Sequence, residues 1–221
     1  MAATLYTDIL EQAEASGLIV MGALHPGRVA AKALQGGTLI LLGAGKGFWP
    51  AFSAASESRD GQRDPVDRWS RRVAGTLAKR FDAQAHFPFG GPPYAPFIDW
   101  AQKSGRAFTS PTGMLVHDTV GLMISYRGAL HLATEIAFPA VTGQSPCQTC
   151  AGQPCTTACP VGALGAAQSY DLAACHDYLD SAAGADCMAR GCAARRACPL
   201  SAGAGRSDAQ SALHMRSFHR H

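Results

Sequence analysis

The sequence predicts an α+β chain in parts: a sheet with flanking helices over 1–143, a small cysteine-rich module over 144–202 and a flexible tail over 203–221. Three observations carry that division. Apolar runs of strand length alternate with amphipathic stretches through the first two thirds, all eight cysteines fall between Pro146 and Pro199, and Gly, Ala and Ser dominate from Gly203 onward. A chain of 221 residues has room for one larger domain plus a module. With 47% hydrophobic and 16% charged residues it has the makings of a packed core and not of a disordered chain.

The elements follow from local pattern. Thr7 caps a first helix with Ile9, Leu10 and Ala13 on one side, ended by Gly17. Leu18 to Leu24 reads as a short strand, Val29 to Leu34 as a short helix stopped by Gly36 and Gly37, and Thr38 to Ala44 as a strand buried on both faces. The glycines of Gly43 to Gly47 miss both phosphate-binding patterns, since Lys46 precedes Gly and Phe48 stands where a third Gly belongs; they predict a flexible turn. Ser53 to Asp64 reads as a loop. Asp64 and Pro65 then cap and start a helix to about Arg80, striped by Val66, Trp69, Val73 and Leu77. Phe87 to Pro96 is an ordered loop, Phe97 to Lys103 a short helix ended by Gly105, and Met114 to Leu132 two strands around Gly121 and Gly128.

The cysteines carry the chemistry. Cys147, Cys150, Cys155 and Cys159 stand at C-x2-C-x4-C-x3-C followed by Pro160, and Cys175, Cys187, Cys192 and Cys198 form a looser second set, again followed by Pro199. A cubane iron–sulfur cluster needs four thiolates at four corners, and short steps let one tight loop present several of them. The first run resembles the ferredoxin signature with one loop enlarged. In two-cluster ferredoxins the fourth cysteine of such a run serves the other cluster. The likeness therefore implies two [4Fe–4S] clusters, one on Cys147, Cys150, Cys155 and Cys198, the other on Cys159, Cys175, Cys187 and Cys192. Structural zinc and four disulfides are the other uses open to eight cysteines.

Formal net charge is +3, without the broad basic face that nucleic-acid binding needs. Arg190, Arg195 and Arg196 read either as compensation for an anionic cluster or as a solvated face. The N-terminal stretch has no basic region leading into an apolar core, so no secretory signal is expected. The longest apolar run, Leu39 to Ala44, is far short of a membrane span. A thiol-reducing, cytoplasmic location is the expectation, which favours metal ligation over disulfides. The terminal HMRSFHRH reads as a poorly ordered end.

Taken in order, several stretches resemble the cobalamin-dependent reductase family that includes epoxyqueuosine reductases and, more distantly, reductive dehalogenases and CblC-type cobalamin-processing proteins. The carriers are FIDWAQKSGRAFTSPTGMLVH (Phe97 to His117), GLMISYRGAL (Gly121 to Leu130), the first cysteine set and DLAACHDYL (Asp171 to Leu179). The resemblance implies a flavin-reductase (nitroreductase)-like sheet with flanking helices holding a corrinoid such as cobalamin in a cleft, and a two-cluster ferredoxin-like module feeding it electrons. It places His117, Asp118 and Arg127 as catalytic candidates and Trp49 and Tyr126 against the cofactor. His117 suits proton donation near neutral pH, or a backbone partner; Arg127 suits a propionamide, a phosphate or Asp118. Where the epoxyqueuosine reductases carry a proton-donating acid, Phe89, Gly90, Gly91 and Pro92 offer no carboxylate.

Three functions are thus weighed. The first is an iron–sulfur oxidoreductase, fed by a redox partner, that passes single electrons to a corrinoid or similar group in the first domain. The second is a ferredoxin-like electron-transfer or accessory protein without a further cofactor. The third is a non-redox protein with structural zinc or disulfides.

Overall fold

A computed structural model of the chain describes residues 4–166 and 168–219, and they form an α+β structure with a small antiparallel sheet. The last two residues of HMRSFHRH lie outside the described part. The chain divides into two compact units, 1–107 with 125–144 and 108–124 with 145–221. The second unit thus takes in a segment, 108–124, that the sequence assigns to the first domain.

In the first unit, helix α1 (Leu5–Ala15) leads into strands β1 (Leu18–Leu24) and β2 (Thr38–Ala44). Helix α2 (Phe48–Ala54), helix α3 (Pro65–Arg80), strand β3 (Gln84–His86) and helix α4 (Phe97–Lys103) follow, and β6 (Tyr126–Leu132) returns to complete the sheet in the order β1-β2-β6-β3. β2 lies inside this sheet and all seven of its residues are buried, which is why its sequence is apolar without alternation. Helix α3 packs on β6 and β3 through Trp69, Val73 and Leu77, and its Trp69 meets Phe48 of α2 edge-on at 5.2 Å.

Local departures from the expected pattern have local causes. The cap of α1 is Thr4, whose side chain accepts from the Thr7 amide at 3.2 Å, so Thr7 lies within the helix. Val29 to Leu34 is not helical: Ala30 and Ala33 sit at φ of 47° and 65°, which interrupts any run of helical hydrogen bonds. Asp64 lies at φ 51° and makes no side-chain cap to α3. Part of the expected 53–64 loop is a 3₁₀ turn, Ser56–Ser58. The glycine-rich turn before α2 serves close packing, since a Cβ on Gly45 would lie 2.6 Å from Ile19 Cγ2.

In the second unit, β4 (Ala107–Thr109) and β5 (Leu115–His117) form a two-stranded sheet. The rest is a chain of short helices: α5 (Leu172–Asp180), α6 (Ala185–Arg190), α7 (Ala193–Ala197) and α8 (Asp208–Phe218). Expected as a flexible tail, 203–221 instead contributes α8, capped by Ser207 and packed on α6. Two buried apolar clusters here include a cysteine: one joins Val116, Leu122 and Cys155, another Leu179, Cys187 and Met215.

Candidate functional site

Every cysteine is a free thiol, and the second unit gathers them at two places. At the first, Cys147, Cys150, Cys155 and Cys198 line one cavity of about 400 Å³, together with Val116 and Leu122. Proline-led 3₁₀ turns build it. Pro146 opens the turn Pro146–Gln148, where the Cys147 amide donates to Ser145 Oγ at 3.3 Å. Gln153, at φ 38°, redirects the chain so that the turn Pro154–Thr156 carries Cys155 inward, to 6% exposure. Cys198 closes α7, and Pro199 starts the turn Pro199–Ala204.

Leu122 ties that wall to the Cys198 segment. Its amide donates to Ser201 Oγ at 3.2 Å, Ser201 Oγ donates to the Arg195 carbonyl at 2.7 Å, and Arg195 Nη1 donates to the Leu122 carbonyl at 2.6 Å. The close approach requires glycine at 121, which lies at φ +57° with Ser201 N only 2.6 Å from where a Cβ would stand.

Burial pushes the Cys147 and Cys155 thiols above their ordinary range, and neighbouring cysteines add to it; the Ser145 side chain works the other way on Cys147. Burial thus keeps Cys147 and Cys155 protonated unless positive charge is brought to them.

At the second place, Cys175 sits on α5 behind its Asp171 cap, Cys187 on α6 at 6% exposure, and Cys192 just before α7. Burial again raises the Cys175 thiol, a hydrogen bond from Tyr170 opposes it, and Cys192, Cys159 and Cys187 are near enough to raise it further. Tyr170 Oη donates to Cys175 Sγ at 3.2 Å. Burial first, and then Cys175, drive the Tyr170 hydroxyl well above its usual range, so it stays a proton donor. Of the three arginines, Arg190 and Arg196 bond to Asp186, while Arg195 reaches Leu122.

Among the described residues, no three His, Cys, Asp or Glu side chains converge as ligands of one metal ion would.

The cleft candidates fall in both units. His117 is fully buried in the second unit, its Nδ1 3.1 Å from the Thr119 amide and 3.1 Å from Asp118 Oδ1, and Asp118 also accepts from Thr119 Oγ1. In the first unit, Tyr126 is 8% exposed and packs on Phe97 at 6.0 Å. Arg127 bonds to Asp67 at 3.4 Å. Burial lowers the Arg127 pKa, against the opposing charge of Asp67. Trp49 lies half-buried on α2, 5.8 Å from Phe52.

Sequence reasoning missed two groups. Tyr170 carries no pattern that announces its bond to sulfur. His176 and His219 approach at 2.6 Å between Nδ1 atoms, with Asp180 2.9 Å from His219 Nε2; only the folding of the expected tail into α8 brings them together.

No protein-family model matches this chain, and no curated protein matches it significantly. Function is therefore read from its residues.

Proposed function

We propose that the second unit is a two-cluster iron–sulfur electron carrier, with Cys147, Cys150, Cys155 and Cys198 as ligands of one [4Fe–4S] cluster and Cys159, Cys175, Cys187 and Cys192 as ligands of the other. The observation that carries this reading is how the cysteines are divided between the two places. Cys198 joins the first three cysteines at one cavity, while Cys159 lies among the later ones around Cys175. That crossing is the pattern of two-cluster ferredoxins. The donor set fits the group, being four soft thiols on an apolar wall in a cavity of about 400 Å³.

A bound cluster supplies one-electron transfer at a potential set by charge, burial and hydrogen bonds to sulfur. The chain's own residues do the rest. Val116 and Leu122 keep water from one side of the first cavity, and Ser145 and Tyr170 offer hydroxyls to Cys147 and Cys175. Free thiols in this number suit a reducing compartment such as the cytoplasm.

For the first unit, the order of motifs supports a nitroreductase-like corrinoid holder that accepts the electrons. A docking domain without a cofactor is the second reading, favoured by Tyr126 packing into the core and Arg127 bonding to Asp67. Anaerobic reconstitution with iron and sulfide tests the carrier. The expected product absorbs broadly in the visible, bleaches on reduction and gives EPR signals of about two spins per chain; no visible absorption overturns it. Titration with cobalamin then separates the readings of the first unit, a shifted cobalamin spectrum supporting the holder and an unchanged one the docking domain.

A further inference from the structure

The loop before α5 ends on Tyr170, whose Oη donates to Cys175 Sγ at 3.2 Å. Asp171 holds both ends of that bond in place. Its amide donates to the Ala163 carbonyl at 3.0 Å, its Oδ1 accepts from the Ala174 amide at 2.9 Å, and its carbonyl accepts from the Cys175 amide at 3.2 Å. The hydroxyl and the thiol are therefore both set by one capped helix start, although the bond itself faces solvent.

On the two-cluster reading above, we propose that Tyr170 is a positioning residue that sets the reduction potential of the cluster held by Cys159, Cys175, Cys187 and Cys192. Reduction adds one electron, whose charge spreads onto the ligand sulfurs. A hydroxyl donating to one of those sulfurs stabilises the more negative state, so it raises the potential of that cluster and leaves the other alone. Tyr178 provides a control in the same unit, because its Oη donates to the Ala183 carbonyl at 2.7 Å and not to a sulfur.

The test uses anaerobically reconstituted full chains of wild type, Tyr170→Phe and Tyr178→Phe. Iron and sulfide are counted first, and each sample is then titrated with dithionite against redox mediators while EPR follows both clusters. The expected result is equal loading in all three. In Tyr170→Phe one potential falls by up to about tenfold in the reduction equilibrium, about 59 mV for one electron, while the other stays. Both potentials stay in Tyr178→Phe. A fully loaded Tyr170→Phe with unmoved potentials, or with both moved equally, overturns the assignment. A second measurement compares wild type and Tyr170→Phe in D₂O: reduced wild type is expected to show an exchangeable deuteron coupled to the cluster of Cys175 that Tyr170→Phe lacks, and identical spectra overturn the hydrogen bond. Wild type that takes up neither iron nor sulfide overturns the two-cluster reading itself, and the Tyr170 assignment with it.

Discussion

Gly121→Ala tests whether the β5 segment and the chain after Cys198 form one wall. At φ +57° an alanine pays about 1–2 kcal/mol for the left-handed backbone. Its Cβ would also stand 2.6 Å from Ser201 N and 2.8 Å from the Leu200 carbonyl carbon, both backbone atoms, so the segments must part. Parting them stretches the bond from Arg195 Nη1 to the Leu122 carbonyl, now 2.6 Å, and a hydrogen bond to a charged group contributes about 1.5–3 kcal/mol. The sum is about 2.5–5 kcal/mol, or about seventyfold or more in local opening at 1.36 kcal/mol per tenfold. Amide hydrogen exchange over peptides covering 115–124 and 198–206 reads it directly. The variant is expected to lose protection there by that factor and, because Cys198 moves with Ser201, to retain only the cluster that does not use it. Wild-type protection together with wild-type iron would refute the coupling of this wall to the first cysteine group.

Cys155→Ser and Cys187→Ser, one from each group, are each expected to halve the iron of reconstituted protein from about eight to about four atoms per chain; loss of all iron in either, or of none, counts against two independent groups. Removing bound iron with an oxidant and chelator is expected to abolish hydrogen-exchange protection in α5 to α7, because apolar clusters there include cysteines; unchanged protection would mean that this unit folds without a metal. Glu57 is one pH-dependent element. Its side chain accepts from Arg72 Nε at 2.5 Å, and that bond holds its carboxyl at about 2 against an ordinary 4.5. A lowered folded-state value contributes stability above pH 4.5 that is lost as pH falls towards 2. Arg72 is 55% exposed, so solvent screening limits the pair to about 1 kcal/mol. Urea midpoints followed by tryptophan fluorescence should show Glu57→Gln below wild type at pH 7, with the gap narrowing towards pH 2; a gap independent of pH contradicts the assignment.

Much of the first unit is legible because its strongest signals are local. TLILLGA declares a doubly buried strand, and the stripe of Trp69, Val73 and Leu77 after Pro65 declares α3. Val29 to Leu34 misleads because its apolar spacing imitates a helix, whereas two alanines at positive φ bend it into turns. Gln84–His86 is too short to carry a pattern and exists as a strand through pairing with β6, Ala85 against Leu130. α2 is hidden by the glycines before it and by Pro50 within its first turn, although Pro is tolerated there. For α8 the start signal was present, Ser207 followed by Asp208, but the surrounding Gly, Ala and Ser content outweighed it.

The cysteines that line one cavity, Cys147, Cys150, Cys155 and Cys198, are the set that the ferredoxin likeness groups together. The walls of the first cavity are not legible in the sequence. Val116 and Leu122 reach it through the β5 segment and the Arg195–Leu122–Ser201 bonds, which are tertiary contacts across more than seventy positions. Tyr170 and His219 are hidden for the same reason, each meeting its partner only after α5 and α8 have formed.

The most direct measurement is the number of iron and acid-labile sulfide atoms per chain in protein prepared without oxygen. Two cubane clusters predict about eight of each. Protein that holds neither, or that holds stoichiometric zinc in their place, would contradict the account at its centre.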